Sequence, residues 1–248
     1  MPDDRGRETA VVFGDVHGNI TALQAVFEDM DERGVGDDRY CLGDLVGYGT
    51  FPNEVVEFVR SRDVPTIQGN YDRGVGNDSD DCGCAYQTEI ERERGDRSIA
   101  WTNGVITERN RAFLRSLESR LAFDLGDLHV VLVHGSPRRV NEYLYADRPA
   151  ASFERLLDAV DADVLVCGHT HLPYHKQLPS GRHVVNAGSV GKPKDNDPRA
   201  GYAVLRASGS DLDVRIHRVP YDVEHEASAI EHAEMPNAFA EMLRAGRS

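Results

Sequence analysis

The chain has 248 residues, 40% of them hydrophobic, enough to bury an ordinary core in one α/β domain. Its formal net charge of −14 excludes generic attraction to nucleic acid or an anionic membrane surface, so any phosphate it binds needs local positive groups. No run approaches the roughly 20 apolar residues of a membrane span, and MPDDRGRETA has no signal-peptide core, so a cytoplasmic protein is expected.

The first half alternates short β-branched runs with amphipathic stretches, a pattern of β-α-β units. Thr9 to Phe13 reads as a strand. Asn19 to Arg33 follows as a helix with Leu23, Val26, Phe27 and Met30 on one face, and Gly34 ends it. Arg39 to Leu42 is a second strand, Asn53 to Arg60 a helix after Pro52, and Val64 to Gln68 a third strand running into Gly69 and Asn70. From Tyr71 to Asn103 the chain is polar and reads as an irregular excursion with room for one helix, before a firmer helix over Thr107 to Ser119. Strands then dominate: Leu121 to Leu125, Leu128 to Val133, Val164 to Val166, Tyr174 to Leu178, His183 to Val185, Tyr202 to Arg206 and Asp213 to Arg218. One helix, Ala150 to Val160, interrupts them, and Ser180 and Gly181 mark a hairpin. Val223 to Arg247 reads as a charged helical tail broken near Pro236. The expectation is a single domain, residues 1–248, with its core over 9–220.

The four cysteines make no disulfide framework. Cys41 and Cys167 close apolar runs, while Cys82 and Cys84 sit in the polar loop NDSDDCGCAY, where C-x-C offers a soft metal only two ligands and reads as two loop thiols. Basic residues are nearly all Arg, with Lys only at Lys176, Lys192 and Lys194.

Five segments place metal-ligand residue types directly after apolar runs: GDVHGN, GDLVGYG, GNYD, HGSP and GHTH. Turns after strand ends are where α/β folds gather functional groups, since the sheet fixes the loop and Gly lets the backbone bend. The donors are two carboxylates (Asp15, Asp44), one carboxamide (Asn70) and four imidazoles (His17, His134, His169, His171). A mixed nitrogen and oxygen set without a thiol suits Mn, Fe, Zn, Co or Ni, with Mn the first choice, and not the all-oxygen shells of Ca or Mg. Seven donors exceed the four of one structural zinc, so two divalent ions are the natural count. Two ions about 3.5–4 Å apart share a carboxylate and a hydroxide and neutralise the attacking and leaving oxygens of phosphoryl hydrolysis. Taken singly, Gly-Asp is usually a turn and a lone His a satisfied polar residue. The ordered set D-x-H, G-D, G-N, H-G, G-H-x-H is what is specific.

That set resembles the calcineurin-like metallophosphoesterases over roughly residues 9–220. HGSP and NAGSVGKP, Asn186 to Pro193, resemble the small bacterial and archaeal phosphodiesterase-like branch. The resemblance implies a sandwich of two mixed β-sheets flanked by helices, with metals at the carboxyl edge of the sheets. It implies that Asp15, His17 and His171 bind one ion, that Asn70, His134 and His169 bind the other, and that Asp44 bridges them. It further implies in-line attack on a phosphate ester by a hydroxide between the ions. A phosphodiester is the first substrate class; phosphomonoesters, phosphoprotein and dinucleoside polyphosphates stay open. The family often has a general-acid His after the Asn of its third motif, and here Tyr71 stands in that place, with Asp72 in the acid position. A phenol with a reference pKa near 10 donates a proton or hydrogen bond but is no imidazolium. Tyr71 and Asp72 are therefore the candidate catalytic residues.

Asn19 and Arg138 are candidate substrate contacts, Asn19 against the alternative of a helix cap and Arg138 through its forked donors. Ser136, beside His134, is not required as a nucleophile where hydroxide is available. The excursion at 71–103 follows a ligand loop and is expected to border the site. The expected partner is a small phosphate ester or nucleotide, with a homo-oligomer open. Two rivals are a metal-binding scaffold of the same fold, which the filled ligand positions oppose, and a sensor that binds a nucleotide without turnover.

Overall fold

The computed structural model describes residues 8–36 and 38–247, so the first seven residues of the segment inspected for a leader lie outside it. The chain runs β1 (Glu8–Phe13), α1 (Ile20–Arg33), β2 (Arg39–Cys41), α2 (Pro52–Ser61), α3 (Asn70–Gly76), α4 (Glu89–Val105) and α5 (Glu108–Ser116). It continues through β3 (Arg120–Leu125), β4 (Leu128–Val133), α6 (Ala150–Asp158), β5 (Val164–Cys167), β6 (Tyr174–Gln177), β7 (His183–Asn186), β8 (Ala200–Ser208), β9 (Asp211–Val219), α7 (Val223–His232) and α8 (Ala238–Ala245). Two sheets form, ordered β2-β1-β8-β9 and β3-β4-β5-β7-β6. Both are mixed: β1 is parallel to β2 and antiparallel to β8, while parallel β4, β5 and β7 lie between antiparallel β3 and β6.

Alternation within the strands sets the layers. Ala10 and Val12 of β1, Val130 and Leu132 of β4, and Val164 and Val166 of β5 meet in the core between the sheets. The intervening Val11 and Phe13 face the other way, onto Leu23, Val26, Phe27 and Met30 of α1 and Val55, Val56 and Val59 of α2. Val131, Val133 and Leu165 pack outward against Phe153, Leu156 and Leu157 of α6. With both faces covered, removal of a core side chain such as Leu132 leaves a cavity that costs about 2–5 kcal/mol.

The structure departs from the sequence reading in two places. Val64 to Gln68 forms no strand: only the single bridges Cys41↔Thr66 and Ile67↔Glu118 occur, because Pro65 gives its carbonyl to Cys41 but has no N–H with which to extend a ladder. The segment 71–103, read as irregular with one helix, carries most of α3 and α4. Gly74 and Gly76 obscured α3, since Gly is a poor helix former. At the start of α4, Thr88 and Glu91 form a capping box that was present in the sequence. The tail is two helices, α7 and α8, whose Phe239 meets the Tyr48 ring at 5.1 Å.

Candidate metal centre

Asp15 and His17 follow β1, Asp44 follows β2, His134 follows β4, and His169 and His171 follow β5, while Asn70 opens α3. The carboxyl ends of strands from both sheets thus converge on one place. Five of the seven take left-handed backbone without being glycine: Asp15 (φ 50°), His17 (50°), Asp44 (51°), His169 (64°) and His171 (59°). This costs an L residue roughly 1–2 kcal/mol, least for Asp and His, and persists where the surroundings over-determine the loop. Here the loops bond to one another. Asp15 N–H donates to Gly43 O at 2.9 Å, His17 N–H to Asp44 O at 2.8 Å, and His169 N–H to Asp15 Oδ2 at 3.0 Å. Ser189 Oγ donates to Asp15 O at 2.7 Å, tying in the NAGSVGKP segment. Gly69 is needed for this closeness, since a Cβ there would lie 2.1 Å from Asp44 Oδ1.

Two groups of side chains result, Asp15 with His17 and His171, and Asp44 with His134 and His169, the donor atoms of each group lying within 4.8 Å of one another. His17 Nε2 and His171 Nε2 are 3.2 Å apart, and Asp15 Oδ1 lies 3.8 Å and 3.3 Å from them. His134 Nε2 is 3.0 Å from Asn70 Oδ1 and 3.3 Å from Asp44 Oδ2. Asp44 Oδ2 is also 3.7 Å from His17 Nε2, which places this carboxylate between the groups.

The imidazoles are oriented from behind. Nδ1 of His17 donates to Val46 O at 3.0 Å, that of His134 to Leu42 O at 2.8 Å, and that of His171 to Lys192 O. A carbonyl can only accept, so each Nδ1 carries a proton and Nε2 is left to face the cluster. Burial pushes His17 and His169 down to about 3, which keeps both rings neutral and able to ligate. Burial opposes charge on His134 as well, yet Asp44 beside it lifts it to about 10, so a proton and a divalent ion compete for its Nε2. Asp15 Oδ1 and His169 Nε2 are buried with no hydrogen-bond partner among the described residues. Carboxylate oxygens and imidazole lone pairs converging on one buried space repel unless cations lie among them, so this donor set fits divalent metal ions.

The other predicted residues have different tasks. Asp72 is fully buried and accepts the N–H of Asp44 at 2.7 Å, of Gly69 at 3.0 Å and of Leu45 at 2.8 Å. Its acceptor capacity goes to the ligand loops, and it does not line the cavity. Tyr71 does line the cavity, its ring edge-on to His17 at 5.5 Å and its hydroxyl without a hydrogen-bond partner among the described residues. Burial pushes its pKa far above the usual phenol value, so the hydroxyl stays protonated and able to donate a hydrogen bond. Asn19 caps α1 by accepting the Ala22 N–H at 2.9 Å and donates to Gly191 O and Tyr221 Oη, both at 3.1 Å, bonds that tie α1 to neighbouring segments. Arg138 is paired with Glu142 on the surface, away from the cavity, because the turn after HGSP carries it outward. Ser136 donates to the same Glu142 at 2.5 Å.

A cavity of about 620 Å³ opens over both groups. Its aromatic lining includes Tyr48, 5.0 Å from the His17 ring, and Tyr143, 4.2 Å from the His169 ring, with Phe239 and Met242 supplied by α8. Its basic side chains are Lys192, Lys194 and Arg94, and burial pushes Lys194 below and Lys192 well below the ordinary lysine value. Lys192 is buried, its Nζ 4.5 Å above the Tyr48 ring, and among the described residues neither lysine has a carboxylate partner. Sequence reasoning missed these residues, although two of the chain's three lysines falling in GKPK was a signal. Residues of the 71–103 segment, among them Cys84, Tyr86 and Arg94, line the same cavity.

Comparison with known proteins agrees with this geometry. A family model described as a calcineurin-like phosphoesterase superfamily domain matches residues 9–210. An uncharacterised protein of Methanocaldococcus jannaschii is 32% identical over 253 residues, covering 95% of this chain and 97% of that protein. The crystal structure of a metallophosphoesterase from Sphaerobacter thermophilus, 31% identical, superposes with a TM-score of 0.76 over 97% of this chain and 99% of its own. A hypothetical protein from Pyrococcus horikoshii, 23% identical, shares the fold with a TM-score of 0.83 over 97% of this chain and 99% of its own. Two mixed sheets flanked by helices, grouped carboxylate and imidazole donors and a matching family model lead to one conclusion: the chain belongs to the calcineurin-like phosphoesterase superfamily and is a metal-dependent phosphoester hydrolase.

Proposed function

We propose that the protein is a phosphodiesterase with a dinuclear centre. Asp15, His17 and His171 serve one ion, Asn70, His134 and His169 the other, and Asp44 both. The observation that carries this reading is the position of Asp44 Oδ2, 3.3 Å from His134 Nε2 and 3.7 Å from His17 Nε2. Divalent ions, with manganese the first choice, supply Lewis-acid neutralisation of phosphate oxygens and a water of lowered pKa. Arg94 offers positive charge, and Lys192 and Lys194 offer N–H donors, to a phosphate in the cavity of an otherwise acidic protein. Aromatic surface beside both donor groups, Tyr48 next to His17 and Tyr143 next to His169, suits organic substituents on both sides of phosphorus. That favours a diester over a monoester. The Tyr71 hydroxyl, held protonated, stands ready to donate to the departing ester oxygen.

The test is an assay of manganese-loaded protein on matched aryl phosphodiesters and phosphomonoesters. The diester is expected to turn over at least about tenfold faster per unit of kcat/KM. Preference for the monoester would replace this reading with a phosphatase, and no turnover by protein holding two ions would leave a scaffold.

A further inference from the structure

The segment Cys82-Gly83-Cys84 lies against the donor cluster and has no part in the hydrolysis just described. The two Sγ atoms are 3.0 Å apart, inside the roughly 3.5–4.0 Å of nonbonded heavy atoms and about 1 Å from disulfide length. Residues 79–88 belong to no helix or strand, and Gly83 takes left-handed backbone (φ 68°), so closing the last ångström disrupts no hydrogen-bonded ladder. Cys84 lines the cavity and Cys82 lies behind it, 7% exposed, whereas Cys41 and Cys167 are sealed in the core. Asn70 Nδ2 donates to Cys82 O at 3.1 Å and to Cys84 Sγ at 3.4 Å, which turns Oδ1 of the same amide toward His134. The pair is therefore reachable, near bonding distance, and part of what aims one donor of the centre.

We propose that Cys82 and Cys84 form a redox-active pair on the cavity wall, closed by a low-molecular-weight disulfide, and that closure withdraws the sulfur that steadies Asn70. Cys84 Sγ, reached from the cavity, gives its proton to water and attacks one sulfur of the oxidant, whose S–S bond breaks and releases one thiolate. Cys82 Sγ then loses its proton and attacks Cys84 Sγ, breaking the mixed disulfide and releasing the second thiolate. Two electrons pass to the oxidant, and its two thiolates take up protons. The Asn70 amide then faces a disulfide sulfur that has moved toward its partner. Bond formation stands on the thiol geometry alone, while its effect on turnover rests on the phosphodiesterase reading.

Manganese-loaded protein is equilibrated with graded ratios of glutathione disulfide to glutathione, alkylated and digested with trypsin. Both thiols fall in the peptide 74–92, which contains no other cysteine. The expected product is that peptide about 2 Da lighter than its dithiol form, with Cys41 and Cys167 alkylated only after denaturation. Turnover of an aryl phosphodiester and manganese retained on dialysis should each fall about tenfold, as when a ligand loses its supporting partner, and recover with reductant. The Cys82→Ser, Cys84→Ser double variant should show no response to oxidant. A surviving dithiol, or a glutathione adduct without the internal bond, overturns the pairing. An internal disulfide with unchanged turnover and manganese content overturns the link to Asn70. Should no turnover be found under any condition, the mass shift and manganese content still decide the matter.

Discussion

Asp72 Oδ2 accepts the backbone N–H of Asp44 at 2.7 Å, while Asp44 Oδ1 accepts the backbone N–H of Tyr71, the residue before Asp72, at 2.9 Å. The two acids thus lock the second and third motif loops together, one from behind and one from within the donor set.

Asp72→Ala leaves three buried N–H groups without acceptors, each costing about 1–3 kcal/mol. Urea unfolding at pH 7 is expected to show a loss of at least about 3 kcal/mol, with weakened metal retention. Unchanged stability together with abolished turnover would instead move Asp72 to the reacting atoms.

Tyr71→Phe removes one hydroxyl from the cavity wall. If that group donates to the leaving oxygen, kcat/KM falls by about 10–10² on alkyl phosphodiesters and by less than about threefold on activated aryl ones. Equal losses on both would assign Tyr71 to packing against His17 and Tyr48.

Asp44→Asn removes the charge between the two donor groups. Elemental analysis is expected to show bound metal falling from two ions to one or fewer, with turnover down at least about 10²-fold. Full metal occupancy in this variant would refute the shared-ligand role.

Metal removal gives a test free of substrate. Manganese at about 100 times its Kd should stabilise the chelated protein by about 2.7 kcal/mol, a rise in Tm of roughly 5–10 °C. Magnesium should produce little change, because imidazole donors suit it poorly.

Stability against pH follows in part from Glu142. Burial alone would raise this carboxyl, but Arg138, Ser136 and Arg148 outweigh it and hold the group down to about 2. A depressed carboxyl contributes stability above its ordinary value near 4.5, and that contribution is lost as pH falls toward 2. Glu142→Gln should therefore cost about 1 kcal/mol at pH 7, discounted for the exposure of Arg138, and the gap from the parent protein should close between about pH 4.5 and pH 2. A gap that stays constant over that range would show the loss to be steric.

The donor loops were legible in the sequence because each follows an apolar run and carries a ligand side chain, as in GDVHGN and GHTH. What surrounds them was less so, for identifiable reasons. Pro65 interrupts the ladder that its apolar run promises, Gly74 and Gly76 disguise a helix, and the Thr88 and Glu91 capping box marks the start of α4 inside a polar stretch. The contributions of Phe239 and Met242 come from a helix packed back from far along the chain, which no local pattern encodes. Asp72, Asn19 and Arg138 show the same limit at single residues. Type and motif position suggested chemistry, whereas the direction each side chain takes depends on partners distant in sequence.

The left-handed backbone at five donors also governs how this centre changes by mutation. Backbone bonds from neighbouring loops hold much of its shape, so these bonds remain when a donor side chain is deleted, although Asp15 and Asp44 also bond neighbouring loops through their carboxylates. Replacement by Val or Ile, which shun that backbone, breaks the scaffold as well, while Asn, Asp or Gly enters at little cost. Drift away from catalysis is thereby channelled toward a few small polar substitutions that silence the chemistry and spare the fold.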